Sequence, residues 1–138
     1  SGESIYNNTT YGNNIGIFYD TDTSGSLIKN NIAYGNTSAQ MTIGGSGHTQ
    51  TTNLTTDPSF TNAASHDFTL QSGSAARDAG TDLSSTGFSA DVIGTARPQN
   101  SVWDIGAYEY IVNAGSGSGG QSQSPAWDSP RRSPFWKR

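Results

Sequence analysis

Two tyrosines, Tyr11 and Tyr34, stand 23 positions apart in matching surroundings, Thr9-Thr10-Tyr11-Gly12-Asn13 and Ile32-Ala33-Tyr34-Gly35-Asn36. A tyrosine offers an apolar ring with a hydrogen-bonding tip, and a sugar ring asks for both. Stacked on an outer face, the pair would form a platform for polysaccharide; turned elsewhere, the rings are packing or edge groups. Asp20, Asp22 and Ser24, in Asp20-Thr21-Asp22-Thr23-Ser24-Gly25, have the alternating oxygens and closing glycine with which many calcium loops begin. Position twelve of such a loop is Asn31 where a bidentate Glu would close it, so calcium competes with a turn held by its own Asp side chains. Lys29 is the only basic side chain on the repeats, and His48 and His66 lie in different turns. No acid–base pair is assigned, and no catalytic residue.

The elements that must position these side chains follow from the repeat. Ile5-Tyr6-Asn7-Asn8-Thr9-Thr10-Tyr11-Gly12-Asn13 returns as Ile28-Lys29-Asn30-Asn31-Ile32-Ala33-Tyr34-Gly35-Asn36, and a fixed period of that length marks a solenoid. Copies then lie over one another at the strand spacing of about 4.8 Å. Asn7, Asn8, Asn30 and Asn31 are expected to form amide ladders that stiffen a turn, because each amide both donates and accepts. The first layer runs from about Glu3 to Ser26 and the second from Leu27 to about Gly47. A degenerate third begins near Thr49, where Asn53-Leu54 follows Asn31-Ile32 by 22 positions.

Only 31% of the chain is hydrophobic, too little for a thick core but compatible with layers that each bury a short apolar strip. There is no cysteine, which leaves neither disulfides nor thiolate metal sites. No apolar run reaches the roughly 20 residues of a membrane span. Residues 1 to 113 carry three Lys or Arg against ten Asp or Glu, a balance of −7. This argues against nucleic acid as the ligand of the body, because phosphate binding needs clustered cations. Among these charges Asp78, Arg97, Asp104 and Glu109, with Arg77 and Asp91, gather late in the body and are expected to pair and fasten its closing loops.

Four motifs follow in order: Asp57-Pro58-Ser59-Phe60; Asp67-Phe68-Thr69-Leu70 with Gln71 to Gly80; Gly94-Thr95-Ala96-Arg97-Pro98; and Asp104-Ile105-Gly106-Ala107-Tyr108-Glu109-Tyr110. With the Asn-Asn and Tyr-Gly-Asn repeats before them, they resemble the C-terminal end of bacterial secreted right-handed parallel β-helix proteins, a group that includes polysaccharide lyases. The resemblance implies an all-β fold: a short right-handed single-stranded parallel β-helix with an irregular C-terminal cap. It also implies a secreted or cell-surface location in a bacterium and a glycan-acting parent, and it places no catalytic residue on this chain. Arg77 departs from the family pattern, which has a small apolar residue there. Residues 105 to 112 and 67 to 70 read as short β-like pieces.

The expected organisation is repeats at 1–56, a capping segment at 57–113, a flexible Gly/Ser/Gln linker at 114–123 and a basic aromatic tail peptide at 124–138. In the tail, Trp127, Arg131, Arg132, Phe135 and Trp136 combine aromatic anchors with charge, as linear docking peptides do; an appended segment without a native role is the alternative. The chain begins inside a repeat, which predicts a piece of a longer protein that lacks its upstream layers and any export signal. Upstream layers, another protein chain, or the chain's own tail folded back with Trp127 and Trp136 would then cover the apolar face of the first layer, represented by Ile5, Ile15 and Ile17. The leading functional expectation is a non-catalytic structural segment that binds polysaccharide. An active lyase fragment, and an assembly or display scaffold using residues 124 to 138, are the alternatives.

Overall fold

The computed structural model describes residues 2–20 and 23–112; the tail residues named above and Asp22 lie outside them. The first half consists of β1 (Ser4–Tyr6), β2 (Thr9–Tyr11), β3 (Ile15–Tyr19), β4 (Leu27–Lys29), β5 (Ile32–Tyr34), β6 (Ala39–Ile43) and β7 (Thr49–Thr51). These pair in parallel in three sheets, ordered β1-β4-β7, β2-β5 and β3-β6. Ser4 opposes Leu27, Thr9 opposes Ile32 and Ile15 opposes Ala39, so each strand pairs with its counterpart one repeat later. A third layer is present in two columns, as β7 and as an isolated bridge from Ile32 to Leu54. The described part is all-β: besides strands it holds only two short 3-10 turns, at Ala63–Ser65 and Ser84–Thr86. None of its helices is long and apolar enough to cross a membrane.

Alternation of side chains along a strand divides the residues between faces. Ile28 and Ala33, in the middle layer, have no exposed surface, while their upper partners Ile5 and Thr10 are half-buried. Ile15 is half-buried as well, but Ile17, expected among the uncovered apolar groups of the first layer, is buried. Thr9, Tyr11, Ile32 and Tyr34 take the opposite face of their sheet, where the second half of the chain meets them.

Between β1 and β2, and between β4 and β5, the chain turns through two asparagines with different tasks. Asn7 (φ 51°) and Asn30 (φ 56°) adopt the left-handed conformation, as Thr52 does one layer on (φ 53°). Asparagine takes that conformation more readily than most residues. The residue that follows builds the ladder. Asn8 donates from its backbone N–H and its Nδ2 to Asn31 Oδ1, both at 3.0 Å, and Asn31 repeats the pattern to Asn53 Oδ1 at 3.1 and 2.9 Å. Asn31 Nδ2 also reaches the carbonyls of Ile5 and Lys29 at 2.9 and 3.0 Å. A shorter column runs from the Asn13 N–H to Asn36 Oδ1 and from Asn36 Nδ2 to Gln40 Oε1, each at 3.0 Å.

The second half forms one antiparallel hairpin, β8 (Phe60–Asn62) with β9 (Asp67–Leu70), and is otherwise irregular. Residues 105 to 112, read from sequence as strand-like, form no strand. Their backbone is engaged elsewhere: the Gly106 N–H donates to Asn30 O at 2.8 Å, Asn7 Nδ2 to Gly106 O at 3.1 Å, and the Ala107 N–H to Thr9 Oγ1 at 2.9 Å. Gly106 permits this approach, since its φ is 94° and a Cβ there would fall 2.6 Å from Ile32 Cδ1. Asn30 holds a second point, donating from Nδ2 to Thr81 O at 2.7 Å and accepting the Thr81 N–H at 2.8 Å. The second half thus lies along the corner column and the outer face of β2 and β5, sharing a core of Ile32, Phe60, Leu70, Ala76 and Ile105.

The ladder predicts unequal costs within one residue type. Asn31 is fully buried, and its truncation strands several donors and acceptors at about 1–3 kcal/mol each where they stay dry. Asn31→Ala should lose at least about 3 kcal/mol in urea unfolding, and Asn8→Ala, at the exposed end of the ladder, about 1 kcal/mol. Equal losses would mean that the ladder does not hold the layers.

Candidate functional site

The β8–β9 hairpin lies over Tyr11 and Tyr34 and turns them into the wall of a cleft. Phe68 packs at 5.5 Å from Tyr11, and Phe60 at 5.2 Å from Phe68 and 6.3 Å from Tyr11. Asn62 caps the connecting 3-10 turn by accepting the Ser65 N–H, and His66, with φ 61°, closes it. Beneath, Gly35 lets the Tyr11 ring approach the backbone closely: its φ is 67°, and a Cβ would fall 2.5 Å from Tyr11 Cε2. The two tyrosine rings are 6.2 Å apart and inclined by 45°. They form an angled wall, and not the flat platform that stacked copies would give.

The cleft has a volume of about 340 Å³ and is lined by Tyr11, Tyr34, Asp57, Ser59, Phe60, Ala63 and Gln71. Asp57 Oδ1 accepts the Ser59 N–H at 2.8 Å, which stabilises the left-handed Ser59 (φ 53°). Gln71 Nε2 donates to Phe60 O at 2.8 Å and fastens the hairpin base. Among the described residues, the hydroxyls of Tyr11, Tyr34 and Ser59 and the Asp57 Oδ2 make no hydrogen bond. The cleft therefore joins aromatic surface to four uncommitted polar atoms. Asp57, Ser59 and Gln71 were not among the expected site residues. The Asp-x-Ser turn is readable locally, but its place beside Tyr34 depends on how the hairpin docks.

The other expected sites are distributed as follows. Asp20 and Ser24 are exposed, and a Cβ on Gly44 would lie 2.2 Å from Asp20 Oδ1, so Asp20 rests on the next layer's backbone. Among the described residues no three His, Cys, Asp or Glu side chains group as metal ligands. His48 packs edge-on against Tyr19 at 5.4 Å with both ring nitrogens buried, and His66 lies 6.1 Å from Phe68. Lys29 is half-buried on β4, opposite Tyr6 and Thr51, away from the cleft.

The late charges converge on one buried cluster. Arg97 Nη1 meets Glu109 Oε2 at 2.7 Å, with both side chains 1% exposed, and its other bonds go to the carbonyls of Asp104 and Gly106 at 3.1 and 2.8 Å. The Asp104 carboxylate accepts the N–H groups of Asp78 at 2.6 Å and Tyr110 at 2.5 Å. Arg77 lies 3.3 Å from the Asp78 carboxylate, with its guanidinium 4.4 Å above the Tyr110 ring. Burial, the largest cause in each case, pushes the Asp104 and Glu109 carboxyls up and the Arg97 guanidinium down. Arg97 opposes the rise on both carboxyls.

Removing the cation should expose that balance. Arg97→Leu leaves Glu109 buried without its partner and should cost about 3–5 kcal/mol at neutral pH. A carboxyl raised in the folded state takes up its proton at higher pH than the unfolded chain does, and its favourable contribution is lost as pH rises through the folded value. The variant should therefore recover part of its loss as pH falls from neutral into the carboxylate range. Thermal unfolding of both proteins over that range measures it, and a loss independent of pH would contradict the pairing.

The function must be argued from this geometry, because no family model matches the chain and no curated protein or solved structure matches it either.

Proposed function

We propose that the chain is a non-catalytic segment of a secreted or cell-surface bacterial glycan-acting protein, and that it binds polysaccharide in the Tyr11–Tyr34 cleft. In this reading the stacked repeats are a right-handed parallel β-helix and residues 57–113 are its closing segment, as the sequence resemblance implies. The regular offset of about one repeat between paired strands in all three sheets supports it. The observation that carries the binding claim is the pair of tyrosine hydroxyls without hydrogen bonds beside open aromatic surface. A sugar ring can lay its C–H face on such a wall and give its hydroxyls to Tyr34, Ser59 and Asp57. Lyase chemistry is less favoured, since it needs a positive group on the uronate carboxylate and the described lining supplies none.

The ladder also supports a partner at the upper end of the stack. Asn31, Asn36 and Asn53 each accept through Oδ1 from the layer above, whereas among the described residues Asn8 Oδ1 and Asn13 Oδ1 accept nothing. A further parallel strand layer, from preceding sequence or another chain, has the N–H donors these positions take.

Affinity electrophoresis of the full chain through gels holding neutral, aminated or acidic polysaccharides tests the binding. Tyr34→Phe keeps the ring, and loss of one hydrogen bond should weaken retardation about two- to tenfold. Phe18→Ala, which changes an exposed ring on β3 away from the cleft, should leave it unchanged. No retardation by any gel, or a loss caused by Phe18→Ala and not by Tyr34→Phe, would overturn the assignment.

A further inference from the structure

The charge around the cleft selects among glycans. Among the described residues Asp57 is the only charged side chain in its lining, and one carboxylate oxygen is held by the Ser59 N–H while the other has no partner there. The cations of the described body are placed elsewhere. Arg97 is buried against Glu109, Arg77 is paired with Asp78 and stacked on Tyr110, and Lys29 lies opposite Tyr6 and Thr51. A uronate or sulfated sugar in the cleft would bring its anion towards Asp57 with no positive group among the described residues to receive it.

A positively charged sugar meets two attractions. An ammonium group can pair with the free oxygen of Asp57, and the faces of Tyr11, Tyr34 and Phe60 carry the negative side of the ring quadrupole. The neighbouring polar atoms are also acceptors: both tyrosine oxygens, Ser59 Oγ and the Gln71 amide oxygen, whose amide nitrogen is already committed to Phe60 O. An ammonium is a donor only, so it can use several of them. A carboxylate accepts only, and would depend on the hydroxyl protons and the second N–H of Gln71.

We propose that the cleft takes aminated glycans, polymers of unacetylated amino sugars, with Asp57 as the residue that sets this preference. The proposal rests on the glycan-binding reading above and adds the class of sugar. It also predicts that the site rejects uronates, whatever the activity of a larger parent.

Calorimetric titration of the full chain with three oligosaccharide series separates the two claims: β-linked glucosamine oligomers, their N-acetylated counterparts and oligo-uronates, at a pH where the amine is protonated. The aminated series should bind tightest and the uronates weakest. Asp57→Asn retains an oxygen to accept the Ser59 N–H, so the turn should stand, as circular dichroism can verify. It should weaken the aminated series roughly two- to fivefold, the worth of an exposed ion pair, and the acetylated series by less, since the amide oxygen can still accept a sugar hydroxyl. Added salt should reduce the wild-type preference and have little effect on the variant. Equal binding of aminated and acetylated oligomers, or a preference that survives Asp57→Asn, overturns the role of Asp57 while leaving glycan binding in place. Binding of uronates above both overturns the charge argument, and binding of none overturns both proposals.

Discussion

The amide of Asn31 is the point on which the rest of the molecule depends. It sits in the middle layer without exposed surface, receives the layer above through Oδ1 and donates to the layer below through its backbone N–H and Nδ2. No other side-chain group of that length does this. A carboxylate would offer only acceptors, and a serine hydroxyl has one proton to give. The amide fits because each layer must both give and receive at the same place, and buried polar groups left unmatched are costly. The chain can therefore stack with little apolar content, since much of its interlayer cohesion passes through a satisfied polar column as well as Ile28 and Ala33.

The ladder also fixes the corner, and the corner directs everything outside it. With Asn31 facing its column, the preceding Asn30 is left in the left-handed conformation with its amide committed to both strands of contact at Thr81. Its carbonyl receives Gly106, whose own carbonyl is held by Asn7 and by Arg97. A continuous path thus runs from the ladder through the corner to the buried Arg97–Glu109 pair. The cleft depends on the same docking, because Phe60 and Leu70 share a core with Ile32 and Ile105, and the hairpin that carries them bears on Tyr11.

The repeat made the local part of this legible in the sequence. The spacing placed Asn8 over Asn31 and Tyr11 over Tyr34, and even the weak match at Asn53-Leu54 marks a real third layer. Periodicity could not tell the two asparagines of each pair apart, because the left-handed turn that separates their roles is a backbone property. Nor could it show that the closing segment lies along the side of the stack. The contacts that put it there join Asn7 to Gly106 and Thr9 to Ala107, across most of the described chain. The β-branched and aromatic content of residues 105 to 112 favoured a strand. That preference lost to the carbonyl and carboxylate bonds that bend the segment around Arg97. Asp57 and Ser59 were missed for a similar reason: their turn is local, but their place in the cleft comes from Tyr34, a neighbour one repeat away.

Stability and the proposed recognition meet in how the few cations of the body are used. Of the three Lys and Arg residues in positions 1 to 113, Arg97 is consumed by the buried cluster and Arg77 lies half-buried over Tyr110 beside Asp78. Holding the closing segment takes these positive charges away from solvent, while most of the ten carboxylates, Asp57 among them, stay outside or near the surface. Closing the loops with arginine leaves Asp57 as the charged side chain of the Tyr11–Tyr34 cleft among the described residues, and under the proposal above the allocation of charge that secures Gly106 against Asn30 also selects the ligands that approach Tyr34.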